Sequence, residues 1–260
     1  MITQTALVTG ASGGIGKAFA EVLARNGFQL ILVARNEEKL NKLAGYLHEK
    51  YGVRVEVIAL DLSVPGHASL LYSEVKNKDL EPDVLINNAG FGDAGYFVEQ
   101  SYKRIGDMIK LNVLALTELT HLFLKDMRKR GSGKILNVAS TAAFQPMPRF
   151  AVYAATKAYV LHFTQALHYE NRDTNIHITA LCPGPTDTAF KSVARLEDSK
   201  LFDQRNVMTP QEVAEAGFRA LMKNRMTVIP GMRNKLLAFL SDITPWRKLL
   251  MYVSSRLMGS

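Results

Sequence analysis

A tyrosine and a lysine four residues apart, Tyr153 and Lys157 in AVYAATKAYV, follow a strand-like run that ends at Ser140. On a helix, residues i and i+4 lie on one face, so a phenol and an ammonium would stand side by side. A neighbouring positive charge favours phenolate and lowers a pKa that starts near ~10. A phenol tuned toward neutral pH can exchange a proton with an alcohol or a carbonyl. Both residue types are also common on exposed helix faces, so the spacing gains weight only from its surroundings.

Those surroundings are strands alternating with helices. Apolar runs at 5–10, 29–34, 54–60, 83–88, 134–139, 176–182 and 226–230 read as strands, most of them continuously apolar. Continuous runs are expected where helices cover both faces of a sheet. Helical patterns fill 14–26, 37–50, 67–78, 101–130 and 151–171, and Thr209-Pro210-Gln211-Glu212 reads as an N-cap, an N1 proline and a capping-box glutamate. The alternation predicts an α/β fold, a doubly wound parallel sheet of about seven strands with helices on both faces. Ligands of such folds bind outside the carboxyl ends of the strands. Here those ends carry Thr9-Gly10, Arg35, Asp61, Asn87-Asn88-Ala89-Gly90, Ser140 and Pro183-Gly184.

The first strand opens onto Gly10-Ala11-Ser12-Gly13-Gly14-Ile15-Gly16 and then a helix. Glycines there permit a tight turn and let the backbone approach a pyrophosphate, whose charge faces the helix N-terminus. The end of the second strand selects the nucleotide. A carboxylate at that point would hold the ribose hydroxyls of NAD, but the chain has Ala34-Arg35, whose guanidinium suits a 2′-phosphate. The expected cofactor is therefore NADP(H), and no metal is expected. Asp61 is a candidate acceptor for the adenine amino group, with Leu62 beside it as a backbone contact. Asn88, Ala89 and Gly90 are small enough to leave room for the adenosine ribose, although Asx and Gly also simply end strands.

Composition bounds these readings. The 260 residues, 47% hydrophobic and 22% charged, fit one globular domain, here 1–232 with a basic amphipathic tail at 233–260. The formal charge of +8 is concentrated in residues 221–260, where seven Lys and Arg stand against Asp242 alone. A basic tail on a nearly balanced body argues against nucleic-acid binding. The lone Cys182 sits in an apolar run and reads as a core residue. No secretory leader or apolar run of membrane-spanning length is apparent, so a cytoplasmic location is the expectation.

Taken together, Thr9-Gly-x-x-x-Gly-x-Gly16, Asn87-Asn-Ala-Gly90, Asn112, Ser140, Tyr153-x-x-x-Lys157 and Pro183-Gly184 resemble the short-chain dehydrogenase/reductase family in order and spacing. The resemblance covers residues 1 to about 230 and implies a Rossmann-like fold. It points to the single-domain branch that uses a basic residue after the second strand for NADP(H). Two departures stand out. Gly13, before the second motif glycine, is not basic, and Ser140-Thr141 stands where many members have two serines.

The resemblance implies that Tyr153 is the general acid in reduction and base in oxidation. Lys157 would hold the nicotinamide ribose and lower the phenol pKa, and Ser140 would orient the substrate oxygen. Asn112 would hold a water linking Lys157 to solvent; read alone, it is a backbone-bonding core amide. Pro183, Gly184, Thr186 and Thr188 would contact the nicotinamide amide and the phosphates.

The implied reaction is NADPH-dependent reduction of a ketone, aldehyde or acyl-linked ketone. An alcohol dehydrogenase working mainly in oxidation and a non-catalytic NADP-binding regulator are the alternatives.

Residues 189–208 fall where the family places a mobile flap, and Phe144, Met147, Phe150 and Phe190 could line an apolar substrate pocket or belong to the core. Neither Arg149 nor Arg195 marks an anionic substrate. The expected partners are a small apolar carbonyl or alcohol and further copies of the chain, as a dimer or tetramer. The tail, with two helical patches split at Pro245, is preferred as packed on the domain or in a dimer interface. Weak contact with an anionic membrane surface is its other reading.

Overall fold

A computed structural model describes residues 4–196, 199, 207–244, 246, 251–252 and 254–256. Seven strands form one sheet: β1 (Thr5–Thr9), β2 (Gln29–Ala34), β3 (Val55–Ala59), β4 (Val84–Asn87), β5 (Gly133–Val138), β6 (Ile176–Leu181) and β7 (Thr227–Val228). Every pairing is parallel and the order is β3-β2-β1-β4-β5-β6-β7. The order reverses between β1 and β4, which opens a crevice at their carboxyl ends.

Alternate side chains of each strand enter opposite layers. In β2, Leu30 and Leu32 join a core with α1 (Gly14–Arg25), α2 (Glu37–Tyr51) and α8 (Pro210–Met222). Ile31 and Val33 join the other core, with α3 (His67–Asn77) and α5 (Leu116–Arg130). Burial on both sides accounts for the uninterrupted apolar runs. Local signals place the boundaries: Asn36 caps α2 through Lys39 N at 2.8 Å, and Thr209 with Glu212 forms the expected capping box on α8.

The helical run read at 101–130 is not one α-helix. It comprises α4 (Tyr102–Ile109), a π-helical segment Lys110–Ala115 and α5. Such wide turns are rare and concentrate at functional sites; this one holds Asn112. Beyond it come a 3-10 turn Thr141–Phe144, α6 (Ala151–Glu170), the short α7 (Phe190–Val193) and α9 (Met232–Ile243).

Candidate active site

Three loops converge at the crevice. After β1, Gly10 and Gly14 take positive φ of 67° and 52°, a region glycine enters without steric cost. Thr9 Oγ1 accepts the backbone N–H groups of Asn88 and Ala89, each at 3.0 Å, while Asn88 Nδ2 donates to the Thr9 carbonyl at 2.9 Å. The Asn88 side chain thus braces the glycine loop. The third loop arrives through Thr188, whose methyl would lie 3.0 Å from a Cβ on Gly14.

The start of α1 has no side-chain cap and no acidic residue in its first turn. A Cβ built on Gly13 meets nothing within 4 Å. Free N–H groups, the positive end of the helix and an open glycine edge suit a diphosphate. Ser12, Gly13, Gly14 and Ile15 line that edge, and Gly16 lets the helix close onto the loop. These residues fit a bound dinucleotide.

At the adenosine end, Arg35 is 78% exposed and faces Asp61 across 3.7 Å, an ion pair that solvent screens. Burial tends to raise the Asp61 carboxyl, but hydrogen bonds from the Ser63 hydroxyl and backbone N–H, with Arg35, bring it below its usual range. The guanidinium therefore remains available to a phosphate. Leu62 is buried in the core and can offer only its backbone.

On α6, Tyr153 and Lys157 share a face and are 7% and 5% exposed. The phenol ring is stacked on Phe150 at 4.3 Å and lies 5.4 Å from Phe190. Met147, Phe150 and Phe190 thus belong to the cluster around Tyr153, whereas Phe144 packs in a separate one with Val160 and Cys182. The Ser140 hydroxyl is near enough to the phenol to oppose part of the effect of its burial. Ser140 Oγ accepts from Ala142 N at 3.1 Å, which orients it.

One expectation is corrected. The protein's own groups do not tune the phenol toward neutral pH: burial pushes Tyr153 up to about 12, against a smaller lowering by Ser140. Lys157 Nζ donates to the Val138 carbonyl at 2.8 Å and lies 5.7 Å from the ring centroid. Burial pushes that ammonium down to about 8, with the Cys182 thiol opposing.

These shifts have a measurable consequence. Unfolded lysine stays protonated to 10.5, so between about pH 8 and 10.5 the unfolded chain binds more protons, and stability rises with pH. Cys182 and Tyr153, both raised by burial to about 12 from 9.0 and 10.0, act in the opposite sense from pH 9 upward. From pH 8 to 9 the urea stability of the protein without added cofactor should rise by about 1 kcal/mol relative to Lys157→Met. Parallel pH profiles for the two proteins would refute the lysine assignment.

Asn112 is fully buried. Its Oδ1 accepts from Phe91 N at 3.1 Å, and its Nδ2 donates to the Phe91 carbonyl at 2.9 Å and to Thr156 Oγ1 at 3.1 Å. It is the backbone-bonding amide of the simpler reading. A Cβ on Gly90 would sit 2.9 Å from Asn112 Oδ1 and 3.5 Å from Lys157 Nζ, so the amide and the ammonium flank the same glycine. Pro183 takes a bond from Thr141 N at 2.9 Å, and Thr186 Oγ1 donates to the Gly184 carbonyl at 2.9 Å.

Asp93 carries no local signal in the sequence. Its carboxylate is buried and takes Arg104 Nε at 2.8 Å and Arg195 through Nε at 2.9 Å and Nη2 at 2.7 Å. Ala94 N donates to the Ala194 carbonyl at 2.9 Å. Asp93 thereby fastens the segment bearing Phe190 over Tyr153, which is the task Arg195 serves. The rest of the expected flap, 197–198 and 200–206, lies outside the described residues.

This geometry has close counterparts. The family model described as short chain dehydrogenase matches residues 4–199. The very-long-chain 3-oxoacyl-CoA reductase of Anas platyrhynchos is 35% identical over 196 residues, 73% of this chain and 62% of that protein. The inactive hydroxysteroid dehydrogenase-like protein 1 of Homo sapiens is 37% identical over 180 residues, 68% of this chain and 54% of that one. The chain thus spans less than two thirds of these curated relatives. A solved short-chain dehydrogenase from Sphingobium yanoikuyae in complex with NADPH superposes with a TM-score of 0.82 at 32% identity, covering 94% of this chain and 97% of that one.

Proposed function

This chain belongs to the short-chain dehydrogenase/reductase family, and from that premise we propose that it is an NADPH-dependent reductase of an apolar ketone, aldehyde or acyl-linked ketone. One observation carries the reading: the buried Tyr153 phenol lies near Ser140, just past the carboxyl end of β5, and one turn from Lys157, whose Nζ donates to the Val138 carbonyl.

When bound, the dinucleotide supplies hydride chemistry. Its holders would be the glycine loop from Gly10 to Gly16, Arg35, Asp61, Leu62, the Asn88–Gly90 turn, Lys157, and the loop of Pro183, Gly184, Thr186 and Thr188. Ser140 and Tyr153 receive the substrate oxygen, and Tyr153 gives it a proton. A phenol buried as deeply as this one is held protonated, which suits the acid of a reduction. Lys157 and Asn112 lie behind it, where a proton can be replaced. Phe150 and Phe190 exclude water from the phenol, and their apolar rings favour an apolar substrate.

The relative named inactive keeps a non-catalytic reading in view. The presence here of Ser140, Tyr153 and Lys157 together favours catalysis. NADPH consumption with a panel of apolar ketones, aldehydes and acyl thioesters tests the proposal, and NADPH binding with no turnover on any of them would favour the regulator.

Cofactor choice rests on Arg35, since Gly13 offers no charge. A charge-assisted hydrogen bond contributes about 1.5–3 kcal/mol, so Arg35→Ser should raise the KM for NADPH by roughly 10- to 100-fold and leave NADH nearly unchanged. Equal effects on both cofactors in steady-state kinetics would remove Arg35 from 2′-phosphate recognition.

A further inference from the structure

Helix α9 is amphipathic the wrong way round. Asn234, Ala238 and Ser241 face the body: Ala238 is buried, and Ser241 Oγ donates to Gln145 Oε1 at 2.9 Å. The opposite stripe, at i, i+4, i+7 and i+8, is Met232, Leu236, Phe239 and Leu240, which are 81%, 58%, 59% and 44% exposed. Arg233 and Lys235 flank it, both exposed. Beyond the helix, Trp246 and Tyr252 are 69% and 57% exposed. A run of outward apolar side chains on one helix marks a surface that something covers.

We propose that this face docks the protein on an anionic lipid bilayer surface. Charge selects that occupant. Residues 221–260 carry seven Lys and Arg against one Asp, and Arg233 and Lys235 border the apolar stripe itself. Two copies meeting through the same face would set these cations against each other, whereas anionic headgroups neutralise them. Tryptophan and tyrosine settle at the level of the headgroups. Among the described residues no helix is long and apolar enough to cross a membrane, so the contact is peripheral.

The inner face of the same helix packs beside the catalytic edge. Asn234 lies against Gly184, where an added Cβ would meet its Nδ2 at 2.5 Å, and Gln145 closes the turn that begins after Ser140.

The test is co-sedimentation of the full chain with phosphatidylcholine vesicles, with and without phosphatidylserine. Wild type should bind the serine-containing vesicles, less so as salt rises. Leu236→Glu/Phe239→Glu should lose binding by at least about tenfold, and Arg233→Glu/Lys235→Glu by a comparable factor, from roughly fivefold per cation. Because these side chains are exposed, unchanged thermal unfolding should accompany each variant. Failure of wild type to bind, or equal binding by the charge-reversed variant, overturns the proposal. So does a wild-type dimer that Leu236→Glu/Phe239→Glu converts to monomer without vesicle binding.

Discussion

Tyr153→Phe will lower kcat by on the order of 10³-fold while leaving the NADPH Kd within about twofold. The substitution removes one oxygen and keeps the ring. Phe150 stacks on that ring and Phe190 lies beside it, so the packing that closes the pocket survives. Ser140 keeps the Ala142 N–H that orients it. The glycine loop and Arg35 are untouched, so cofactor binding has no reason to change. Fluorescence titration with NADPH beside single-turnover kinetics separates binding from chemistry. Turnover within tenfold of wild type would show that the proton comes from another group.

The second large effect is structural. A Cβ at Gly16 would stand 2.2 Å from the Gly10 carbonyl oxygen and 2.5 Å from Asn88 Nδ2. The first obstacle is backbone and cannot rotate aside. Gly16→Ala must therefore lift α1 away from the loop after β1, against a helix whose buried face holds Phe19, Val22 and Leu23. Overpacking of this kind costs about 1–3 kcal/mol and sometimes more, or roughly 2–10 °C in Tm for a chain of this length. The same shift opens the diphosphate cradle, so NADPH affinity should fall by at least about tenfold, since a ~1.4 kcal/mol loss is already a factor of ten.

Gly45→Ala is the matched control. Gly45 lies within α2 with nothing within 4 Å of a Cβ, and alanine there should raise stability by about 0.5–1 kcal/mol. Equal Tm values for the Gly16 and Gly45 variants would contradict the close approach.

What could be read from the sequence was whatever local chemistry decides. Continuous apolar runs gave all seven strands to within about two residues, because both faces of the sheet are covered. The glycines, Arg35 and Ser140 fell at strand ends and Tyr153 on the helix that follows β5, and the sheet order brings those ends together without further information. What could not be read depends on distant partners. Asp93, Arg104 and Arg195 are far apart in the chain, and no periodicity joins them. The π-helical turn at Lys110–Ala115 differs from an α-helix by one residue per turn and leaves no pattern. The Tyr153 expectation failed for a related reason. Spacing puts Lys157 on the right face, but the phenol is governed by burial, to which the adjacent Phe150 and the distant Phe190 of α7 both contribute. For α9, composition showed an amphipathic helix but not which face would be turned outward.

The central claim is hydride transfer to a carbonyl with Tyr153 supplying the proton. It is tested most directly by incubating the protein with NADPH deuterated at nicotinamide C4 and an apolar ketone panel, then weighing the alcohols formed. The account predicts one deuterium at the carbinol carbon of a product made by wild type, and no such product from Tyr153→Phe. NADPH binding without deuterium in any alcohol, or equal labelling by the two proteins, would contradict it.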